Sequence, residues 1–198
     1  MTSKRQVLID TAFQLFYQKG VHAVGINEIL TESGVAKKTL YSHFPSKDAL
    51  LLATLEYRDE IFCTWFEAQL DNSKTKTLAE SGLTNLDSLI DALFNALDKW
   101  FNDNTEVLSP FHGCFFINVS AEYGDHSSAI HQHCARHKER IKKIISKAVM
   151  SISDDAEKIQ SLTQALCLLK EGAIVQAYVQ GDKKAAMKAR ETAELLLV

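Results

Sequence analysis

Apolar residues recur along this chain at three- and four-residue intervals, the period of a helix with one buried face. Ile9, Ala12, Phe13 and Phe16 form the first such stripe. Ser3 and Gln6 stand before it at capping-box spacing, and Gly20 follows as a left-handed stop. A second short helix is predicted over 26–33, burying Ile26, Ile29 and Leu30, with Gly34 ending it and Val35 pinning the turn. A third over 37–44 stops at Pro45, since the residue before a proline disfavours helical geometry. Ser46 then caps a long fourth helix reaching about residue 70, a rod joining the N-terminal group to the rest. Beyond a polar break at 71–77, further helices are predicted over 85–102, 111–123, 128–150, 154–180 and 183–197. The breaks between them fall at Asn102–Asn104 with Pro110, Gly124–Asp125, Ser151–Ser153 and Gly181–Asp182. No alternating strand pattern, repeat or low-complexity tract interrupts the series. The predicted fold class is all-α: a three-helix N-terminal domain over 1–46 and a larger helical domain over 47–198.

Residues 26–44 place two short helices around a glycine-containing turn, the helix-turn-helix pattern. In the second of them Leu40 and Phe44, at i and i+4, face inward. Lys37, Lys38, Thr39, Tyr41, Ser42 and His43 are left to project. These side chains can hydrogen-bond to phosphates and base edges or contact a thymine methyl. Lys47 adds a cation where the next helix begins, and helix amide ends favour phosphate.

The run from Val7 to Leu52 resembles the DNA-binding domain of TetR-type transcription regulators. It carries Ala12, Leu15, Phe16 and Gly20 in the first helix, then Ile29, Ser33, Gly34 and Val35, then TLYSHFPSKDAL from Thr39 to Leu50. The resemblance implies that Thr39, Tyr41, His43 and Lys47 touch the DNA backbone. It implies that Lys37, Lys38 and Ser42 read bases and that Asn27 adds a contact. Two positions depart from the family pattern. Gly25 stands where Thr or Ser often caps the second helix, and Leu30 replaces a small residue.

Composition narrows the reading. The chain has 198 residues, 46% of them hydrophobic, with two prolines and eight glycines, enough apolar content for a packed core. No apolar run approaches the roughly 20 residues that span a bilayer, and the N-terminus lacks a signal-peptide core, so a cytoplasmic, nucleoid-associated protein is expected. Residues 1–50 hold six basic and four acidic side chains, while the remainder holds sixteen against twenty-one. A mildly positive head on an acidic body suits a nucleic-acid contact at one end.

The helix near 156–180 is apolar on two faces, Ile159, Leu162, Leu166, Leu169 and Ala173 on one, Ala165, Leu168, Val175 and Val179 on the other. Such a helix is buried on both sides. With the narrow stripe Ala185, Ala189, Ala193 and Leu196 in the last helix, it predicts a homodimer through 156–180 and 183–197, the arrangement the resemblance implies. Aromatic residues concentrate at Phe62, Trp65 and Phe66, at Trp100 and Phe101, and at Phe111, Phe115 and Phe116. The expected effector pocket comprises Phe62, Trp65, Phe66, Trp100, Cys114, Phe115, Asn118 and Glu122, lined for a small, largely apolar molecule. Cys114, Asn118 and Glu122 fall along one helical face in a stretch similar to that of a subset of TetR-like regulators, some of which sense electrophiles through a cysteine. A redox role for Cys114 is therefore an alternative reading, since a helix start favours thiolate.

The four cysteines lack Cys-x-x-Cys spacing, and His126, His131, His133 and His137 cluster without completing a metal-ligand pattern, so neither metal nor cofactor is expected. An enzyme is the rival class, but no nucleophile–base signature, phosphate loop or carboxylate pair supports it. The sequence therefore predicts a DNA-binding transcriptional regulator, a repressor released from operator DNA by an apolar effector.

Overall fold

A computed structural model describes residues 2–71 and 85–197, so the polar break expected over 72–77 lies outside the described residues. Nine helices and no strand occur among them: α1 (Lys4–Lys19), α2 (Ile26–Ser33), α3 (Lys37–His43), α4 (Lys47–Asp71), α5 (Asn85–Phe101), α6 (Phe115–Glu122), α7 (Ala129–Met150), α8 (Ala156–Val179) and α9 (Ala185–Leu197). No helix among the described residues is long and apolar enough to cross a membrane.

The helix starts follow their caps. The Ser3 hydroxyl accepts the Gln6 N–H at 3.2 Å, and Ser46 accepts the Ala49 N–H at 3.0 Å. Asp155 accepts from the N–H groups of Glu157 and Lys158, which sets the start of α8 at Ala156. The capping box at α1 closes on one side only, because the Gln6 amide donates to Asp10 instead, at 2.8 Å. Gly20 ends α1 at φ 86° and ψ 155°, an extended glycine region and not the expected left-handed turn, whereas Gly34 is left-handed at φ 63°.

The largest departure from expectation is α6, which begins four residues later than the predicted start at 111. Asp103 takes the Phe111 N–H at 2.6 Å, and Gly113 sits at φ 78°, which a helix cannot accommodate. Cys114 becomes the N-cap residue, without a side-chain cap bond.

The chain forms two compact units. One holds Met1–Glu60 and Cys114–His137, so residues 47–60 and 114–137 cluster with the helix-turn-helix segment. Here α1 packs on α2 and α3, around Leu8, Ala12, Phe16, Ile29 and Leu40, each at most 1% exposed. Of the residues expected to be buried in α2, only Ile29 is fully so; Ile26 and Leu30 are half-buried.

The other unit holds Ile61–Gly113 and Lys138–Val198. In it α9 lies against α5 and α8, and α5 touches α8. Leu162, Leu166 and Ala173 face that core, and so do Ala185, Ala189 and Ala193 of α9. The alanine stripe expected to meet a second copy is thus covered within the chain itself. The second face of α8 is not: Leu168 is 65% exposed, Val175 48% and Val179 74%.

A charged node sits in this second unit. Lys170, 2% exposed, donates to Glu171 at 2.5 Å, and Lys138 donates to both carboxylate oxygens at 2.9 and 3.0 Å. Burial alone would push the Glu171 carboxyl up, but Lys170 and Lys138 override it and hold the group at about 2. A carboxyl depressed in the folded state stabilises above its unfolded value, and that contribution disappears as pH falls through the folded one. The melting temperature of Glu171→Gln should therefore lie below wild type at neutral pH. The gap should close as pH drops from about 5 towards 2, followed by circular dichroism.

Candidate nucleic-acid interface

The third helix presents the face its pattern foretold. Leu40 and Phe44 are 0% and 3% exposed, and Arg5 caps the packing with its guanidinium 5.2 Å from the centre of the Phe44 ring. Lys37, Lys38, Tyr41, Ser42 and His43 are exposed, Thr39 is half-buried, and Asn27 is exposed at the start of α2. Among the described residues neither Lys37 nor Lys38 is in an ion pair, so both charges are available to phosphate. The Ser42 hydroxyl donates to the Thr39 carbonyl at 2.7 Å, leaving its oxygen lone pairs to accept.

Lys47 occupies a different setting from the others. It is half-buried, 5.8 Å from the Phe16 ring centre, and donates to the Val21 carbonyl at 2.6 Å. An ammonium has three N–H donors, so two remain for a phosphate. Its first task, however, is to hold the turn between α1 and α2.

That turn is gripped from a second side, which sequence reasoning missed. Glu122, at the end of α6, accepts the backbone N–H of Val21 at 2.7 Å and that of His22 at 2.6 Å. The His22 ring lies 3.3 Å from the same carboxylate and stacks on Tyr123 at 5.1 Å. Tyr123 in turn donates to Asp48 at 3.1 Å, and its hydroxyl pKa is raised by burial and by that carboxylate. One turn of backbone is therefore bound by α4 through Lys47 and by α6 through Glu122. No periodicity in the sequence announces a contact between polar groups a hundred residues apart.

The residues expected to line an effector pocket divide into two sets. In the first unit Phe115 packs edge-on against Phe13 at 5.3 Å and Tyr17 at 5.9 Å, and Glu122 holds the turn. Asn118 is half-buried beside them in α6, and Cys114 is buried. Arg58 lies 4.9 Å from the Phe13 ring centre; burial lowers its pKa against the opposing fields of Tyr17 and Cys114. Phe62, Trp65, Phe66 and Trp100 come together in the second unit. Trp100 meets Phe62 at 5.0 Å and Phe111 at 5.1 Å, both edge-on. Trp100 is 1% exposed, and its indole N–H has no hydrogen-bond partner among the described residues.

The histidine cluster also separates. His137 is 3% exposed, stacked on Phe116 at 3.5 Å and bonded to Asp59 at 2.5 Å, which is a packing role. His131 bonds to the Tyr123 carbonyl at 2.8 Å and lies against the exposed His126. His133 is half-buried, its pKa lowered by desolvation.

Comparison with known proteins agrees with this geometry. The model of bacterial regulatory proteins of the tetR family matches residues 8–54, and that of the tetracyclin repressor-like C-terminal domain matches residues 88–193. The crystal structure of SCO4454, a TetR-family transcriptional regulator from Streptomyces coelicolor, aligns with a TM-score of 0.78 at 26% identity, covering 98% of this chain and 94% of that one. The helix-turn-helix-type regulator YuxN of Bacillus subtilis is 36% identical over 87 residues, 43% of this chain and 30% of its own length. The repressor ComR of Escherichia coli is 26% identical over 145 residues, 71% of this chain and 63% of that protein. The chain spans 30%, 20% and 40% of the first three curated relatives it matches. It belongs to the TetR family of helix-turn-helix transcriptional regulators, whose members bind operator DNA and act as dimers. The all-α fold and the N-terminal DNA-binding domain expected from sequence are those observed.

The grip on the α1–α2 turn is open to direct measurement. Replacing Glu122 with Ala strips the part-buried Val21 N–H and the exposed His22 N–H of their acceptor, an effect of about 1–3 kcal/mol for the buried group left unsatisfied. Hydrogen exchange at the Val21 and His22 amides should accelerate at least tenfold in Glu122→Ala, while exchange in α8 stays at the wild-type rate. Unchanged protection at both amides would mean that the carboxylate does not hold the turn.

Proposed function

We propose that this protein is a homodimeric repressor that grips a pseudo-palindromic operator and is released by a small, largely apolar effector. The observation that carries the effector half is Trp100. A buried indole N–H without an acceptor among the described residues, on a ring that meets Phe62, Phe101 and Phe111, costs roughly 1–3 kcal/mol. A molecule with an apolar body and one hydrogen-bond acceptor removes that cost. Phe62, Trp65 and Phe66 belong to α4, the same continuous helix that begins at Lys47 beside the DNA-reading segment. A displacement of α4 at its aromatic end is thus a displacement of the helix that carries Lys47.

DNA recognition rests on Lys37, Lys38 and Ser42 for bases, with Asn27, Thr39, Tyr41, His43 and Lys47 on the backbone. The dimer face is the uncovered stripe of α8, Leu168, Val175 and Val179, extended by Leu195 and Leu196 of α9, which are 84% and 68% exposed. Two-fold symmetry of the protein is then mirrored in the operator.

Cys114 supports a second reading. It is buried at the α6 N-terminus, close enough to the Arg58 guanidinium to interact with it electrostatically. Oxidation there would act on α6, whose far end holds the α1–α2 turn.

An operator recovered by selection from random duplexes supplies the test. Lys37→Gln should alter the selected base preference more than the overall affinity. Val175→Glu should convert the dimer to monomer in sedimentation, by placing an unpaired charge in the interface. An effector drawn from apolar molecules with one acceptor should reduce operator affinity by about 5–150-fold, a coupling of roughly 1–3 kcal/mol. Trp65→Ala and Trp100→Phe should lose that response while binding the operator as wild type does. If only oxidants release the DNA and Cys114→Ser abolishes it, the cysteine reading replaces the apolar effector.

A further inference from the structure

A groove of about 330 Å³ runs between α7 and α8, within the second compact unit and apart from the aromatic cluster. Lys142, Ser146 and Met150 line it from α7, one turn apart in sequence, and Ile159, Gln160 and Thr163 from α8. Its volume falls at the low end of small-molecule pockets, about 300–1,000 Å³.

Three features make the groove chemically asymmetric. Thr163 is 3% exposed, and its buried hydroxyl oxygen has no hydrogen-bond partner among the described residues. A buried hydroxyl without a partner is expensive, and a ligand oxygen relieves it. Lys142 is exposed at one end. On the same helix Lys138 is neutralised by Glu171 and Lys147 by Glu67, at 2.9 and 2.8 Å. Lys142 stands between them without an ion-pair partner among the described residues. The opposite end is apolar, with Met150 59% exposed and Ile159 half-buried.

We propose that this groove binds a medium-chain monocarboxylate, its carboxylate on Lys142 and Thr163 and its alkyl tail along Ile159 and Met150. The dimension agrees. Eight residues of helix separate Lys142 from Met150, roughly 12 Å at the helical rise of about 1.5 Å per residue, room for an extended eight-carbon acid. A cation at one end, a hydroxyl donor beside it and an apolar floor beyond select an anionic amphipath over a neutral or cationic one. The site is separate from the effector cluster proposed around Trp100, and its occupation does not depend on that reading.

Methyl NMR of the full-length protein provides the test, with sodium octanoate as probe below its micellar concentration and octanol and octylamine as controls. Octanoate should shift the Ile159 and Met150 methyl signals saturably, with one molecule per chain, and octylamine should bind at least tenfold more weakly. Lys142→Gln is a surface change and Thr163→Val preserves shape, so both should fold as wild type and each should weaken octanoate at least fivefold. Trp65→Ala should leave octanoate binding unchanged. The proposal is overturned if the two methyl signals do not saturate, or if octylamine and octanol bind as well as octanoate. It is equally overturned if Trp65→Ala abolishes the shift while Lys142→Gln does not, since octanoate would then occupy the aromatic cluster.

Discussion

A helix of seven residues does not persist by itself in water, where isolated helices shorter than roughly 12–15 residues are marginal. The second helix of the helix-turn-helix, Lys37–His43, has that length, and no side chain caps its start. What makes it a helix is the burial of Leu40 and, just past its end, Phe44, at 0% and 3% exposure. A buried leucine or phenylalanine contributes about 1.5–3 kcal/mol, comparable to the ordering cost of a few residues. The same two anchors fix the rotation of the helix about its axis. Once Leu40 points inward, Lys37, Lys38, Tyr41 and Ser42 have only solvent, or a duplex, to face. Structure and DNA chemistry are thus decided by one pair of contacts.

Anchoring a helix does not yet orient the group that carries it, and here the backbone of the α1–α2 turn becomes the handle. Chain leaving a helix exposes N–H and carbonyl groups without intrahelical partners. At Val21 and His22 both N–H groups go to the Glu122 carboxylate, and the Val21 carbonyl goes to Lys47. Bonds to ionised groups are stronger than neutral ones, by about a factor of two. A turn held by one anion and one cation, carried on two different helices, registers the position of both. Three hydrogen bonds thus tie the α1–α2 turn to α4 and α6.

Much of this was legible from the chain, and the division between what was and was not has a physical basis. Caps and stops act within three or four residues, so Ser3, Ser46 and Gly34 marked their helix ends correctly. Periodic burial is likewise local, and it singles out Leu40, Phe44 and the covered face of α8 with Leu162, Leu166 and Ala173, while the opposite face stays exposed in this chain. The start of α6 was misplaced because the competing partner, Asp103, lies eight residues upstream of Phe111 in a segment without periodicity. Glu122 and Phe115 were grouped with a pocket because their helical face was visible while the partners of that face, Val21 and Phe13, were not. The α9 alanines were assigned to a second copy although α5 and α8 already cover them. A small-residue stripe reports close approach, but not whose helix approaches.

What the fold leaves unsatisfied is informative because the two kinds of deficit have different remedies. An apolar stripe such as Leu168, Val175 and Val179 is a deficit of area, and area is supplied by a surface of similar size. Helix α8 is already apolar on its covered side, so a second helix of the same character is the economical complement. An orphan hydroxyl or indole N–H is a deficit of one hydrogen bond, and a second protein surface is poorly suited to supply it inside a core. A small molecule carrying a single oxygen does so. On the function proposed above, the Trp100 indole is the place for a ligand and the α8 stripe the place for a second copy. The distinction also governs regulation. A ligand shifts an equilibrium only by the difference in its affinity for the two states. For the Trp100 indole of α5 that difference would be one hydrogen bond, made in one state and absent in the other.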